Sequence, residues 1–529
     1  MPSLVCSHLS FSWPSGESVL DDLSATFPAG RTGLVGRNGV GKTTLLRIVA
    51  GELTPNVGTV SGPDTVGYLP QQIVLESGRT VAGVLGIEEA VQALRRIDAG
   101  SGEPADFEVV GDRWDIEERS AAALSEFGLS ELAPERRIGT LSGGQVILLA
   151  LASIFLAQPD LLILDEPTNN LDRDARALLY QAVQRWRGPV IMVSHDRELL
   201  DLVDYVGEMR DGDVRFFGGN FTAYTAALEV EQEAAARGVR SAQGDLQRQQ
   251  RELVEARIKL DRRQRFARSQ AENVPKIVAG AKKRAAEVSA GKLRGGHQAD
   301  VAEARQHLEA AEERLRTDDV IRVDLASTRV PRSRDVVLTH DLVLRNGLPV
   351  SLHIRGPERI GLVGPNGSGK TTLIDTLTGR VEPRAGRVDL RVPYRLLPQR
   401  LQLLSDHETV LSGVARHAPG ADTNTLRAQL ARFLLNAATV ARPVGTLSGG
   451  ERFRASLAAL LLAEPAPQLL ILDEPTNNLD LDSVRQLTAA LAEYQGALLV
   501  ASHDEELLRD LSLDWRLVLG EAAAPEEGT

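Results

Sequence analysis

Gly36-Arg37-Asn38-Gly39-Val40-Gly41-Lys42-Thr43 decides the reading of this chain, and Gly364-Pro365-Asn366-Gly367-Ser368-Gly369-Lys370-Thr371 repeats it. Both stretches fit G-x-x-x-x-G-K-[ST]. Each follows a short apolar run, Thr32 to Val35 and Ile360 to Val363, and leads into a helix-like stretch, Thr44 to Val49 and Thr372 to Leu377. That strand–loop–helix order separates a phosphate loop from a glycine-rich turn. The glycines let backbone N–H groups turn inward as a nest for phosphate oxygens, and the helix adds its positive N-terminal end. Lys42 and Lys370 reach the β- and γ-phosphates, and Thr43 and Thr371 can place a hydroxyl on Mg²⁺. The candidate nucleotide-binding residues here are Gly36, Asn38, Gly39, Gly41, Lys42, Thr43 and Thr44, with Gly364, Asn366, Gly367, Gly369, Lys370, Thr371 and Thr372 in the second loop.

The repetition extends along the chain. Leu69-Pro70-Gln71 recurs as Leu397-Pro398-Gln399, Leu141-Ser142-Gly143-Gly144-Gln145 as Leu447-Ser448-Gly449-Gly450-Glu451, and Ser194-His195-Asp196 as Ser502-His503-Asp504. Leu161 to Asp172 recurs without change of residue type at Leu469 to Asp480. One domain has been duplicated. The spacing differs between Gln71 and Leu141, where the first copy carries about twenty extra residues. Gly100-Ser101-Gly102-Glu103-Pro104 reads as a loop there, between helix-like stretches Val81 to Ile97 and Asp115 to Phe127. A short surface projection and an elongated loop both fit.

The apolar runs Leu161 to Leu164 and Val190 to Val193 read as buried parallel strands, with a helix over Arg173 to Arg185 between them. The expected fold is α/β: two tandem domains with largely parallel sheets, joined by a long antiparallel α-helical linker. The boundaries fall at 1–226, 227–322 and 323–520, with an acidic tail over 521–529.

The 529 residues are 43% hydrophobic and 25% charged, as in a water-soluble globular protein. No apolar run is long enough to span a bilayer, and Met1 to Ser10 lacks the layout of a signal peptide. A lone cysteine, Cys6, precludes an intramolecular disulfide framework and suits a reducing cytosol. The net charge of −12 hides a local reversal: Arg257 to His297 carries 12 basic and 3 acidic residues. It lies in a stretch that reads as a long exposed helix, Ala227 to Arg268, with Gly238 and Gly244 as breakers. A second helix follows over Gln298 to Arg316. Concentrated positive charge on an acidic protein is the footprint of phosphate-backbone binding; a solvated helical face is the plainer alternative. Phe266 is the one aromatic near the tip, which favours backbone or shape recognition of folded RNA over base stacking.

Asp165 and Asp473 end apolar strands, where a carboxylate can hold Mg²⁺. Glu166 and Glu474 follow directly and point the other way along an extended chain, which suits them to orient and deprotonate water. His195 and His503 end the next strand and could contact the γ-phosphate. Ser142 to Gly144 and Ser448 to Gly450 open apolar helices, forming a second anion site with no lysine.

Together these residues resemble the ATP-binding cassette (ABC) superfamily, over roughly 420 of the 529 residues. The resemblance implies ATP and Mg²⁺ as cofactors. It makes Gln71 and Gln399 Q-loops that join Thr43, Asp165, Thr371 and Asp473 around the metal. Ser142 and Ser448 look like signature serines. Asn170-Leu171-Asp172 and Asn478-Leu479-Asp480 look like D-loops, and His195 and His503 like switch histidines. The family closes head to tail, so Lys42 and Glu166 would share a nucleotide with Ser448, and Lys370 and Glu474 one with Ser142, within a monomer. The family also stacks adenine on an aromatic; Trp13 is well placed, with Phe11 as alternative, whereas His340 to Gly347 has none and Arg345 falls near the position.

Two cassettes on one chain, the charged linker and a doubled Glu-Pro-Thr-Asn-Asn-Leu-Asp resemble the ABC-F subfamily. That implies a cytoplasmic ATPase, without direct membrane insertion, whose linker Arg257 to His297 meets the ribosome (rRNA or tRNA) as a translation factor or in antibiotic resistance. The family's arm lies where the first copy has its extra residues. A C-terminal coiled coil found in some relatives is missing after the second copy. The alternatives are an ATPase subunit of a multidrug or macrolide exporter with a separate membrane partner, and a chromosomal or repair ATPase with DNA as partner.

Overall fold

The computed structural model describes residues 4–270 except 72, 74–77, 170 and 211, then 299–312, 321, 323 and 325–527 except 399–402, 478 and 521–523; the side chains of 257, 260, 261, 263–270 and 524–527 also lie outside it. Most of the basic stretch Arg257 to His297, the linker's predicted tip and the predicted Gln399 therefore fall outside the described residues.

The first copy begins with β1 (Leu4–Ser12), β2 (Ser18–Phe27) and β3 (Arg31–Val35), then α1 (Lys42–Val49), β4 (Val57–Ser61) and β5 (Val66–Leu69). A helical block follows: α2 (Val81–Leu85), α3 (Glu88–Asp98), α4 (Pro104–Val110), α5 (Ile116–Glu126) and α6 (Gly143–Ala157). The chain returns through β6 (Leu161–Asp165), α7 (Arg173–Arg185), β7 (Val190–Val193), α8 (Arg197–Leu200), β8 (Tyr205–Arg210) and β9 (Asp213–Gly218). One sheet has the order β5-β6-β7-β3-β8-β9, parallel except for β9; the other is antiparallel, β2-β1-β4. The central strands β6 and β7 are buried at every position, and apolar except for Asp165 at the end of β6, because both faces are covered. Leu9, Leu34, Leu45, Leu46 and Ile163 form the core of the first copy, each contributing roughly 1.5–3 kcal/mol by leaving water.

The extra residues are two helices rather than an elongated loop. Glu103 and Asp106 form a reciprocal capping box with Pro104 in the first turn, so the polar segment can start α4. Arg96 of α3 donates through Nε to Asp106 Oδ1 at 3.0 Å and joins the pair, over buried Val91, Leu94 and Val110.

A second compact unit, Thr222–Asp318, contains most of α9 (Phe221–Gln270) and a helix α10 over 299–312. α9 runs straight through Gly238 and Gly244, which the sequence reading treats as breakers. Glycine costs a helix only about 1 kcal/mol, and the Ala-, Glu-, Gln- and Arg-rich flanks, with pairs such as Arg237–Glu233 at 3.5 Å, outweigh two of them.

The second copy repeats the plan: β10 (Asp335–Val343), β11 (Pro349–Val350), β12 (His353–Arg355), β13 (Arg359–Val363), α11 (Lys370–Leu377), β14 (Ala385–Leu390) and β15 (Tyr394–Leu397). Then come α12 (Val410–His417), α13 (Thr423–Arg432), α14 (Ala437–Ala441), α15 (Gly449–Leu461), β16 (Leu469–Asp473), α16 (Leu481–Ala492), β17 (Ala497–Ala501), α17 (Glu505–Asp510), β18 (Trp515–Val518) and β19 (Ala524–Glu527). Its main sheet has the order β15-β16-β17-β13-β18-β19. The long β2 of the first copy is here the broken pair β11 and β12, and among the described residues nothing corresponds to the α3–α4 hairpin. Within the described residues, the strand β19 continues this sheet through part of the predicted acidic tail.

A pair of candidate nucleotide sites

Each site is built where a central parallel strand stops. β3 ends at Val35 and α1 begins at Lys42; the loop between is shaped by glycine. A Cβ on Gly36 would stand 2.5 Å from the Met209 carbonyl, and Gly41 caps α1 at φ +106°, a conformation other residues adopt only with strain. Gly369 does the same for α11 at φ +103°. Lys42 and Lys370 are buried and hydrogen-bond back to their own loops, Lys42 Nζ to Gly36 O at 2.6 Å and Lys370 Nζ to Gly364 O at 2.7 Å. Burial lowers both ammonium pKa values, so each lysine gains from a phosphate that would replace its lost water.

β6 and β16 end at the next pair of groups. Asp165 is fully buried, its Oδ2 accepts from Tyr68 at 3.5 Å, and Thr43 also hydrogen-bonds to it. Asp473 Oδ2 accepts from Thr371 Oγ1 at 3.1 Å. Burial raises both carboxyls. Glu166 and Glu474 follow in the left-handed region, at φ +50° and +46°, and their N–H groups bond to Val193 O and Ala501 O at 2.8 Å. That turn swings each glutamate onto the end of the neighbouring strand, beside the histidine. His195 Nε2 lies 3.1 Å from Glu166 Oε1, and His503 Nε2 lies 3.4 Å from Glu474 Oε1. Burial pushes Glu166 up to about 8 and Glu474 to about 7, and pushes both histidines down to about 4. Neutral His503 also accepts from Lys370 Nζ at 2.8 Å.

Among the described residues, five buried polar atoms at these strand ends and loops have no hydrogen-bond partner: Asp165 Oδ1, Glu166 Oε1, His195 Nδ1, Ser368 Oγ and Glu474 Oε1. Such groups are rarely left unpaired without a ligand to receive. A free carboxylate oxygen beside a threonine hydroxyl is a hard donor set that fits Mg²⁺.

The facing half of each site comes from the other copy. Asp480 caps α16 through Oδ1, and its Oδ2 accepts the Asn38 backbone N–H at 2.9 Å. Asp172 caps α7 and likewise accepts the Asn366 N–H at 3.2 Å. Arg37 pairs with Asp482 at 3.4 Å and Arg197 with Glu506 at 3.0 Å across the same seam. Ser448 and Ser142 cap α15 and α6, each in a reciprocal capping box with the third residue of its helix, Glu451 or Gln145. A Cβ on Gly449 would be 4.0 Å from Asn38 Nδ2, which sets Ser448 to Gly450 opposite the first phosphate loop; Ser142 to Gly144 forms the same capped turn, with open space beside Gly143.

Gln71 is exposed in a bend after β5; Gln399, Asn170 and Asn478 lie outside the described residues. Trp13 packs edge-on against Phe11 with ring centroids 5.0 Å apart. Its turn is closed by Trp13 N–H to Glu17 O and Gly16 N–H to Trp13 O; Leu344, with Leu348 and Gly347, makes the same two bonds. Leu344 therefore occupies Trp13's place, and Arg345 is one position beyond it. Tyr68 is a site residue the sequence reading missed; its counterpart is Leu396, and only the strand pairing reveals that it faces Asp165.

The sequence profile described as ABC transporter matches residues 20–169 and 348–477, both copies. The tylosin resistance ATP-binding protein TlrC of Streptomyces fradiae is 34% identical over 92% of this chain and 92% of its own. The chain belongs to the F subfamily of the ABC ATPases. ABC transporter F family member 5 of Arabidopsis thaliana is 28% identical, covering 94% of this chain and 72% of that one. A solved structure of ribosome-bound archaeal Pelota and ABCE1 shares the fold, with TM-score 0.53 and 22% identity over 96% of this chain and 77% of the other. As an ABC-F protein the chain is an ATP hydrolase, and each copy is a cassette. Among the described residues no helix is long and apolar enough to cross a membrane.

Proposed function

We propose that this ABC-F ATPase acts on the ribosome from the cytoplasm, closing its cassettes over two ATP molecules and steering the basic linker against folded RNA. The observation that carries the reading is the charge reversal: 12 basic and 3 acidic residues over Arg257 to His297, between two cassettes of an acidic chain. The ribosome-bound neighbour and a relative named for tylosin resistance support it, and the latter favours protection against a ribosome-directed drug.

In this reading Thr43 with Asp165, and Thr371 with Asp473, would hold Mg²⁺, which would supply neutralising charge to the nucleotide's phosphates. Gln71 and Gln399 complete its surroundings. Glu166 and Glu474 take the proton of the attacking water, while His195 and His503 fix their carboxylates and the γ-phosphate end. Ser142 and Ser448 donate to the nucleotide from the opposite cassette, and Trp13 stacks on adenine in the first site.

The test is co-sedimentation of the Glu166→Gln, Glu474→Gln double variant with ribosomes in ATP. Retention on ribosomes that is lost without ATP is expected; ATP hydrolysis by the wild type with no ribosome binding in any nucleotide state would overturn the reading. Deleting Arg257 to His297 should remove the binding and leave basal ATPase in place.

A further inference from the structure

The two D-loops are held differently, and Arg176 is the cause. On α7, Arg176 donates through Nε to the carbonyl of Leu171 at 3.2 Å and through Nη1 to Asp196 Oδ2 at 3.2 Å. Tyr180 donates to the same oxygen at 2.7 Å. The cluster is largely buried, with the Arg176 side chain 17% exposed and Asp196 7%. It ties together the D-loop and the loop that carries His195. The D-loop's Asp172 reaches across to the Asn366 N–H of the second phosphate loop. In the second cassette the positions of Arg176 and Tyr180 are held by Val484 and Thr488. Val484 is buried among apolar residues and has nothing to donate to Leu479 or Asp504.

Arg176 also opens onto the cavity between the cassettes, which Glu166 and His195 of the first and Thr476 and His503 of the second line. Its charge is felt at Glu474 and His503, lowering the proton affinity of each. Arg176 thus belongs to the first cassette but faces the hydrolytic end of the second site.

We propose that Arg176 is a positioning residue chiefly for the second nucleotide site: it fixes the D-loop that lays Asp172 on Asn366, whereas Asp196 beside His195 is also held by Tyr180 and by the Leu199 N–H, and so the two ATP sites are unequal. This rests on the reading that both sites hydrolyse ATP. A guanidinium making two bonds, one of them charge-assisted, is a stiffer clamp than apolar packing, which does not fix a carbonyl in direction.

Backbone amide exchange in the full chain without nucleotide reads the clamp directly. Arg176→Val, which copies the second cassette, should accelerate exchange over 364–371 by about fivefold, the loss of one net hydrogen bond, and leave 36–43 unchanged. Arg176→Met fills more of the side-chain volume and should behave alike, and Arg176→Lys should recover part of the protection. Equal acceleration in both loops, or none over 364–371, overturns the proposal. Turnover then separates function from stiffness. In a Glu166→Gln background, where Glu474 alone hydrolyses, Arg176→Met should lower kcat about three- to tenfold with KM within about twofold. In a Glu474→Gln background it should leave kcat within about twofold. Equal losses in both backgrounds would sink the positioning role. A wild type that hydrolyses at one site only would fail the underlying reading instead, and the exchange result would still decide the clamp.

Discussion

At the first phosphate loop Asp480 accepts the Asn38 N–H at 2.9 Å and Tyr68 backs Asp165, while Trp13 of the same copy packs edge-on against Phe11. At the second, Asp172 accepts the Asn366 N–H at 3.2 Å, Leu396 replaces Tyr68, Leu344 replaces Trp13, and Lys370 reaches His503 at 2.8 Å. The phosphate loops, strand-end carboxylates and histidines are the same in kind. Duplication has kept the phosphate-loop, strand-end carboxylate and histidine residues and changed Tyr68, Trp13 and residues at the seam. Identical motif residues are therefore weak evidence for identical sites.

The largest break of the comparison is removal of the glutamates. Glu166→Gln with Glu474→Gln should cut steady-state ATPase by at least about hundredfold, since a positioned general base is worth that or more. Either single variant should retain the other site's share, and unequal residual rates would measure the asymmetry.

The D-loop aspartates come next. Asp480→Ala removes a helix cap and a bond across the seam, and should destabilise the nucleotide-free protein by about 2 kcal/mol in thermal unfolding. Asp172→Ala removes the same two roles at a longer distance and should cost less. A larger effect from Asp172 would invert the comparison.

Proton linkage provides a third measure. Glu474 and Glu166 are raised by burial to about 7 and about 8. A raised carboxyl holds its proton more tightly when folded, so its contribution is full below the ordinary glutamate pKa and is lost as pH rises through 7 and then 8. The histidines, lowered to about 4, act oppositely: their contribution is present above the ordinary histidine pKa and lost as pH falls through 4. Melting of the nucleotide-free protein with chelator should thus decline from pH 6.5 to 9 by on the order of 1–2 kcal/mol per carboxylate. Glu474→Gln should remove the lower part of the decline and Glu166→Gln the upper part. An unchanged profile in both variants would show that other groups set it.

The smallest effect is at the base. Trp13→Ala should raise KM for ATP about threefold at the first site, the loss of one stacking partner, with kcat preserved. Leu344→Trp should lower KM at the second site by less; no change there would show that the turn alone does not place a ring.

Much of this was legible in the chain. The runs around Leu161 and Val190, the helix Arg173 to Arg185 and both phosphate loops appear where their apolar spacing and glycines put them, because each is set by neighbours a few residues away. The extra stretch was located by spacing, but its helices depend on the Arg96–Asp106 contact and a capping box, and so were not readable as a pair. The long helix read over Ala227 to Arg268 is present across Gly238 and Gly244, because the flanking helix formers outweigh two glycines. Arg345 misled because a one-residue shift in the turn places Leu344 at the site. Tyr68 and Arg176 were invisible for a different reason: their partners are far away in sequence, and only strand register and the folded D-loop bring them together.

The pairing of Asn38 with Asp480 and of Asn366 with Asp172 occurs within a single polypeptide. Two separate identical subunits meeting about a twofold axis must present the same surface to each other, so any change would appear twice. Here each molecule carries one arginine-clamped and one valine-backed junction in fixed proportion. Neither dilution nor subunit exchange can produce a symmetric form, and a division of labour between the junctions is inherited by every copy made.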